Sequence, residues 1–304
     1  MTRPAPVPVE FWSLPQSDSR ALWWSISPEG HLGIVLVHQR FLYPPEESPG
    51  WTSPRPRLPF EASLLIVTEK GARQTPLPDL DFNPFELTLL AQDRFVVTGS
   101  LWTDPDRRGH PTAIEGSVGG AGRTVDPHGF GSDIPAAIGD TGGRLWTLHG
   151  DQGIFGFEPW SQPGLVGWHP DGRHFWTPQG RMPGVGNGIS LATENDYVWA
   201  LYHAGAPIHT ARVTPATGDV ISYPTEAHRY SGFAVRGTRA LFSTRHRNDP
   251  TILTLTRARL WDGLWVETDH HNVKLPGAVH LHSHQGRDGV LWLRAGDTWL
   301  HVDV

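Results

Sequence analysis

The chain contains no cysteine. Disulfides, thiolate catalysis, iron–sulfur clusters and cysteine-ligated zinc are therefore excluded. Lysine is confined to Lys70 and Lys274, so almost all positive charge is arginine, which reads as a compositional bias of the genome. No run approaches the roughly 20 apolar residues of a membrane-spanning helix. Residues 1–10 lack the apolar stretch of a secretory signal. A cytoplasmic protein without a membrane partner is expected. The net charge of -6 lacks the basic excess of a nucleic-acid surface, so no nucleic-acid partner is expected either. A GxSxG elbow, a P-loop and an HExxH pair are also missing. The glycine-rich stretch Gly184-Val185-Gly186-Asn187-Gly188 follows no βα unit and reads as a crossing loop. No helical period persists beyond a turn or two.

What the chain has is repetition. A tight polar turn leads into a β-rich run centred on Trp or Phe. Gly142-Gly143-Arg144-Leu145-Trp146-Thr147-Leu148-His149 is one copy, and Asn195-Asp196-Tyr197-Val198-Trp199-Ala200-Leu201-Tyr202 another. Others centre on Phe242 and Trp292, with fainter ones at 92–98 and 29–35. A period of about 40–50 residues marks a solenoid, an array or a propeller. With 34 glycines and 28 prolines, many short strands and turns are expected. A β-sandwich offers no reason for such a period.

The phrase fits the second strand of a four-stranded blade. Apolar runs at 22–26, 85–90, 134–138, 189–192, 232–235 and 278–282 precede the copies and fit first strands. Third and fourth strands follow at 165–168 with 173–176, at 208–213 with 219–222, and at 252–255 with 264–267. First strands recur roughly 42 to 64 residues apart, in the blade range once loop insertions are allowed. The expected fold is all-β, a single six-bladed β-propeller over residues 1–304, with a seven-bladed ring as the alternative. The last unit lacks one strand and the run at 9–14 lacks a partner, so the N-terminal strand is expected to close the ring and protect its edge. The repeated aromatics are expected between blades, contributing buried area.

Loop lengths divide the two faces. Hairpins between first and second strands are minimal. The B–C hairpins and D–A crossings are long and polar, and function collects in such loops. Around the channel mouth on that face, the expected ligand-binding residues are His128, Asp133, His149, Asp151, Asn187, His203 and His246. Histidine, present 17 times, is the base and metal ligand suited to neutral pH. His280, His282 and His284 alternate, so on a strand they would share a face and are candidates for a metal site. Their spacing of about 6–7 Å spreads them beyond one ion's reach. No cofactor is expected, and a divalent metal is the alternative.

The stretch Gly143-Arg144-Leu145-Trp146, then Asp151-Gln152-Gly153-Ile154-Phe155-Gly156, then Gly164-Leu165-Val166-Gly167-Trp168, resembles a set of uncharacterised actinobacterial β-propeller proteins. Their second phrase tends to read Asp-Glu-Gly-[Val/Ile]-[Phe/Tyr]-Gly, and Gln152 departs from that Glu. The resemblance covers roughly residues 137–176 and implies a bacterial cytoplasmic propeller without implying an activity.

Two functional readings are weighed, and the first is the expected one, the second its alternative. One is a binding module that holds a small molecule or a protein partner at the loop-rich face. The other is a metal-assisted hydrolase or lyase, on analogy with lactonase-type or streptogramin-lyase-type propellers. There Asn187 and Asp133 would imitate part of a lactonase metal set, and histidine would act as base.

Overall fold

The structure is a computed structural model that describes residues 4–44, 54–77, 79–82, 84–99, 113–120, 123–124, 130–205, 207–226, 229–280 and 283–304. His128 and His282 lie outside the described residues. The architecture is a six-bladed β-propeller. Its chain divides into two compact units: Pro15–Gln162 with Val166–Trp176, and Met1–Leu14 with Pro163–Leu165 and Thr177–Val304. Among the described residues, no helix is long and apolar enough to cross a membrane.

The unit built on Pro15–Gln162 holds three blades of sequential antiparallel strands. The N-terminal strand, β1 (Val9–Ser13), belongs to the other unit. Blade one is β2 (Ser19–Ile26), β3 (Leu32–His38), β4 (Ala62–Thr68) and β5 (Gly71–Pro76). Blade two is β6 (Pro84–Leu90), β7 (Arg94–Gly99), β8 (Ala113–Ser117) and β9 (Arg123–Thr124). Blade three is β10 (Ala136–Gly139), β11 (Leu145–Leu148), β12 (Leu165–Trp168) and β13 (His174–Trp176). Between β11 and β12 lies one helical turn, α1 (Asp151–Ile154).

These strands form because β-branched and other apolar residues fill runs that end at turn formers. Strand β3 reads Leu-Gly-Ile-Val-Leu-Val and is buried along all six positions, as expected for a strand covered on both faces. The outermost β5 is exposed at nearly every position. Where first strands approach one another, side chains are shed. A Cβ on Gly139 would stand 2.5 Å from the Leu89 carbonyl oxygen, so only glycine fits.

The second unit holds blade four, β14 (Asn187–Glu194), β15 (Tyr197–His203), β16 (Ile208–Thr214) and β17 (Asp219–Pro224). Blade five is β18 (Gly232–Arg236), β19 (Arg239–Arg245), β20 (Ile252–Trp261) and β21 (Leu264–Lys274). Blade six is β22 (His284–Arg287), β23 (Val290–Ala295), β24 (Thr298–Asp303) and the N-terminal strand β1. Strand β1 runs antiparallel to β24, pairing Val9 with His301 and Ser13 with Thr298. Phe11 meets Trp292 edge-on at 5.0 Å and Trp12 lies 5.5 Å from Trp299. The expected N-terminal closure is thus both a hydrogen-bonded strand and an aromatic seam.

In this unit the first strands of blades four and six also pair, in parallel, at Ala192–Gly286 and Thr193–Arg287. Gly286 makes this approach feasible, since a Cβ there would lie 2.3 Å from the Phe233 carbonyl oxygen. The contact sits near the ends of β14 and β22 that lead into the short turns. No open channel separates these two strands at that level.

The repeated aromatics are core. Trp146, Trp199, Phe242 and Trp292 are all buried. Trp199 packs with Phe233, Phe242 and Trp265 in one apolar cluster. The indole N–H of Trp146 donates to Asp140 Oδ2 at 3.0 Å, and Arg144 Nε donates to the same oxygen at 2.7 Å. The tight turn and the aromatic after it are therefore one hydrogen-bonded device.

Two expectations are corrected. The first strand of blade six is His284–Arg287 and not the run at 278–282. Residues 278–280 of that run precede the strand and are tied down by Val279 N–H to the Pro250 carbonyl and Gly296 N–H to the Ala278 carbonyl. Its apolar signal comes from Val279, a buried anchor in the core of blades five and six. The outer strands of blade five also run to 10 and 11 residues. They absorb His270 and His271, which pair with Thr256 and Leu255 inside the sheet and so do not lie in a mouth loop.

Candidate functional site

In an antiparallel blade, the start of the first strand and the end of the second share an edge. Imidazoles recur there. Ser19 opposes His38 in blade one, and His149 follows Leu148, the partner of Ala136, in blade three. Asn187 opposes His203 in blade four, and His246 follows the last residue of β19 in blade five. The opposite edges carry tight turns, with left-handed Asn195 between β14 and β15 and left-handed Asp288 and Gly289 between β22 and β23.

His149 is fully buried, with both ring nitrogens engaged. Trp168 Nε1 donates to Thr147 Oγ1 at 2.8 Å, and Thr147 Oγ1 stands 3.0 Å from His149 Nε2. His149 Nδ1 stands 2.8 Å from the Ser132 carbonyl oxygen. A carbonyl can only accept, so Nδ1 carries the proton and Nε2 accepts from the Thr147 hydroxyl. Burial lowers the His149 pKa to about 4, which keeps the ring neutral. It serves as a tie between a strand and the loop at Ser132.

That tie positions Asp133, which adopts φ of +50°. Asp and Asn tolerate this left-handed region better than most residues. Its carbonyl accepts from Gly150 N–H at 2.7 Å and its Oδ2 from Gly153 N–H at 3.2 Å. A Cβ on Gly150 would lie 2.3 Å from Asp133 Oδ2, so a side chain there would displace the Asp133 carboxylate. Ser161 Oγ accepts from Ser132 N–H at 2.7 Å. Asp151 opens α1, is exposed, and accepts from Gln152 N–H through Oδ1. Phe155 and Phe157 are exposed, and the ring of Trp160 covers His174 at 4.2 Å. Asp133, His149 and Asp151 thus come together on the loops of blade three.

In the other unit, Asn187 and His203 are half-buried register partners, and the His203 carbonyl accepts from Gly186 N–H at 2.7 Å. Burial holds the His203 pKa below its usual value. His246 Nε2 lies 2.9 Å from Thr254 Oγ1, whose hydroxyl donates to Asn272 Oδ1 at 2.7 Å. Nε2 is therefore the donor.

His280 and His284 do not share a strand, and His282 lies outside the described residues. His280 lies before β22, while His284 begins it and is buried against Gly232, where a Cβ would stand 2.3 Å from His284 Cβ. Burial and the charges of Arg294 and Arg245 lower the His280 pKa. Among the described residues, no group of three or more His, Asp or Glu side chains is arranged to hold a metal ion.

Sequence reading missed the relay through Ser132, Thr147, Ser161 and Trp168. Hydroxyl residues in strands carry no spacing signal, and the relay exists only after pairing. It also missed Arg257 and Arg259, whose alternation in a strand places them on one face.

The chain shares its fold with solved β-propellers. The PQQ-bound aldose sugar dehydrogenase from Streptomyces coelicolor superposes with a TM-score of 0.52 at 13% identity, covering 98% of each chain. A putative oxidoreductase (glucose dehydrogenase) from Thermus thermophilus gives 0.51 at 12% identity, over 99% of this chain and 100% of that one. The WD40 repeats of RRP9 give 0.51 at 6% identity, covering 99% of each. At these identities the likeness carries the fold and nothing finer. No protein-family model and no curated protein matches the sequence.

Proposed function

We propose that the chain acts on a small hydroxylated molecule at the loop edge of its blades, as a hydrolase or lyase, in preference to serving as a passive binding module. One observation carries the reading: imidazole, amide and carboxylate groups recur at the edge where second strands end, and the opposite edge carries minimal turns. His203, kept neutral by partial burial, is the proposed base. Asn187, its register partner, is the proposed donor to a developing oxyanion. A sugar-like substrate is the first to test, because two propellers of this fold are named as sugar oxidoreductases. The resemblance to actinobacterial propellers belongs to the same proposal and adds no activity. A divalent metal is an optional auxiliary in it, polarising a carbonyl.

The test combines binding and turnover. Calorimetry against a panel of aldoses and aldonolactones, with and without Mn²⁺, Ca²⁺ or Zn²⁺, is run beside a lactone-hydrolysis assay. The expected result is saturable binding with turnover that falls roughly 100-fold in His203→Gln, within the range that one general base contributes. Binding without turnover would favour the passive module. Neither binding nor turnover across the panel would refute the sugar-like substrate.

A further inference from the structure

We propose that blade five carries an anion site for a phosphate monoester with a compact apolar body, built from Arg239, Arg257 and Arg259. These three line a cavity of about 440 Å³ together with Asp269 and His271. Arg239 and Arg259 are exposed at this cavity, beside Arg257 and the Asp269 carboxylate, in a protein whose overall charge is -6. Arg239 and Arg259 are direct register partners on β19 and β20. Like charges directly opposite one another destabilise a sheet. Among the described residues, neither has a carboxylate within ion-pairing distance. Arg257 differs: its Nη1 lies 3.5 Å from Asp269 Oδ2, which also meets His271 Nε2 at 2.6 Å. The Asp269 carboxyl is held below the usual carboxylate range, chiefly by its hydrogen bond from His271, and stays ionised. It orients Arg257 and leaves Arg239 and Arg259 to a ligand.

The chemistry selects the ligand. Guanidinium forks match the oxygens of a phosphoryl group and bind it through paired N–H donors. A cavity of this size lies within the range of small-molecule sites and exceeds what a bare phosphate fills. Ala258 and Val304 supply buried apolar wall for the rest of the molecule. This site is distinct from the loop edge, since it involves none of His203, Asn187, His246, Asp133 or Asp151.

The probes are phenyl phosphate and inorganic phosphate, titrated into the intact chain by calorimetry at low ionic strength. Phenyl phosphate should bind saturably and more tightly than inorganic phosphate. Arg239→Gln/Arg259→Gln should weaken it by roughly tenfold or more. In anion-free buffer the same double variant should melt about 1–2 °C above the parent, because the opposed charges are gone. Phenyl phosphate should raise the melting temperature of the parent and not that of the variant. Equal binding of the two probes would overturn the monoester assignment. No saturable binding, or binding unchanged in the double variant, would overturn the site.

Discussion

Replacing His149 by Gln should remove a specific part of the protein's acid sensitivity. The imidazole is buried and neutral, with its pKa lowered from 6.5 to about 4 by loss of solvent. The unfolded chain, with an ordinary imidazole, binds a proton first as pH falls. Stability from this group is therefore complete above pH 6.5 and is lost as pH drops toward 4. Each pH unit between the folded and unfolded pKa values is worth about 1.4 kcal/mol, so the loss amounts to about 3 kcal/mol. Other depressed histidines, His203, His209 and His280, act in the same direction in both proteins and cancel in the difference. Urea denaturation of parent and His149→Gln at half-unit steps from about pH 7.5 to pH 4 measures that difference. The parent's advantage at the neutral end should shrink by about 3 kcal/mol at the acid end. An advantage constant across the range would refute the neutral buried ring and the relay drawn from Trp168 to Ser132.

Other perturbations follow from the same structure. Thr147→Val should leave Trp168 Nε1 and His149 Nε2 without their shared partner and cost about 2–4 kcal/mol, read by chemical denaturation. Trp146→Ala and Trp199→Ala, each at a buried position, should cost about 3–5 kcal/mol apiece; a smaller loss would place those rings outside the core. Removing residues 1–14 should strip β1 from β24, lower the melting temperature and promote self-association through the bared edge; a monodisperse, equally stable product would contradict the closure. Gly286→Val should fail to fold stably, since its Cβ meets backbone at 2.3 Å, whereas Gly30→Asn, with open space around it but a left-handed backbone at φ +83°, should lower the melting temperature only modestly.

Blades were legible because the second strands of five of the six join a polar turn to a buried aromatic: Phe95, Trp146, Trp199, Phe242 and Trp292. In blade three the turn and the aromatic are also tied to each other: one Asp140 carboxylate binds both the turn's Arg144 and the indole of Trp146. The N-terminal closure was legible from an unpartnered run at 9–14 beside a blade short of one strand. The start of blade six was not, because Val279 is as apolar as a strand residue yet anchors a loop. The length of β20 and β21 was hidden by polar alternation through Asp269 and His271, which belongs to an outer strand with one wet face. For the candidate site, the sequence identified residue types and the edge that holds them. It did not separate His149, held through both ring nitrogens by Thr147 and Ser132, from the half-buried His246, held through Nε2 by Thr254. That distinction lies in hydrogen-bond partners contributed by other strands and loops.

The loop edge as the working surface is tested most directly by amide chemical-shift mapping of the ¹⁵N-labelled protein against a fragment library of polyols and lactones. The account predicts that shifts fall on Asn187, His203 and His246 and on the loops of Asp133 and Asp151, while the turns at Asn195 and Asp288 stay unmoved. Shifts gathered on those short turns, with the histidine-bearing edge silent, would contradict it.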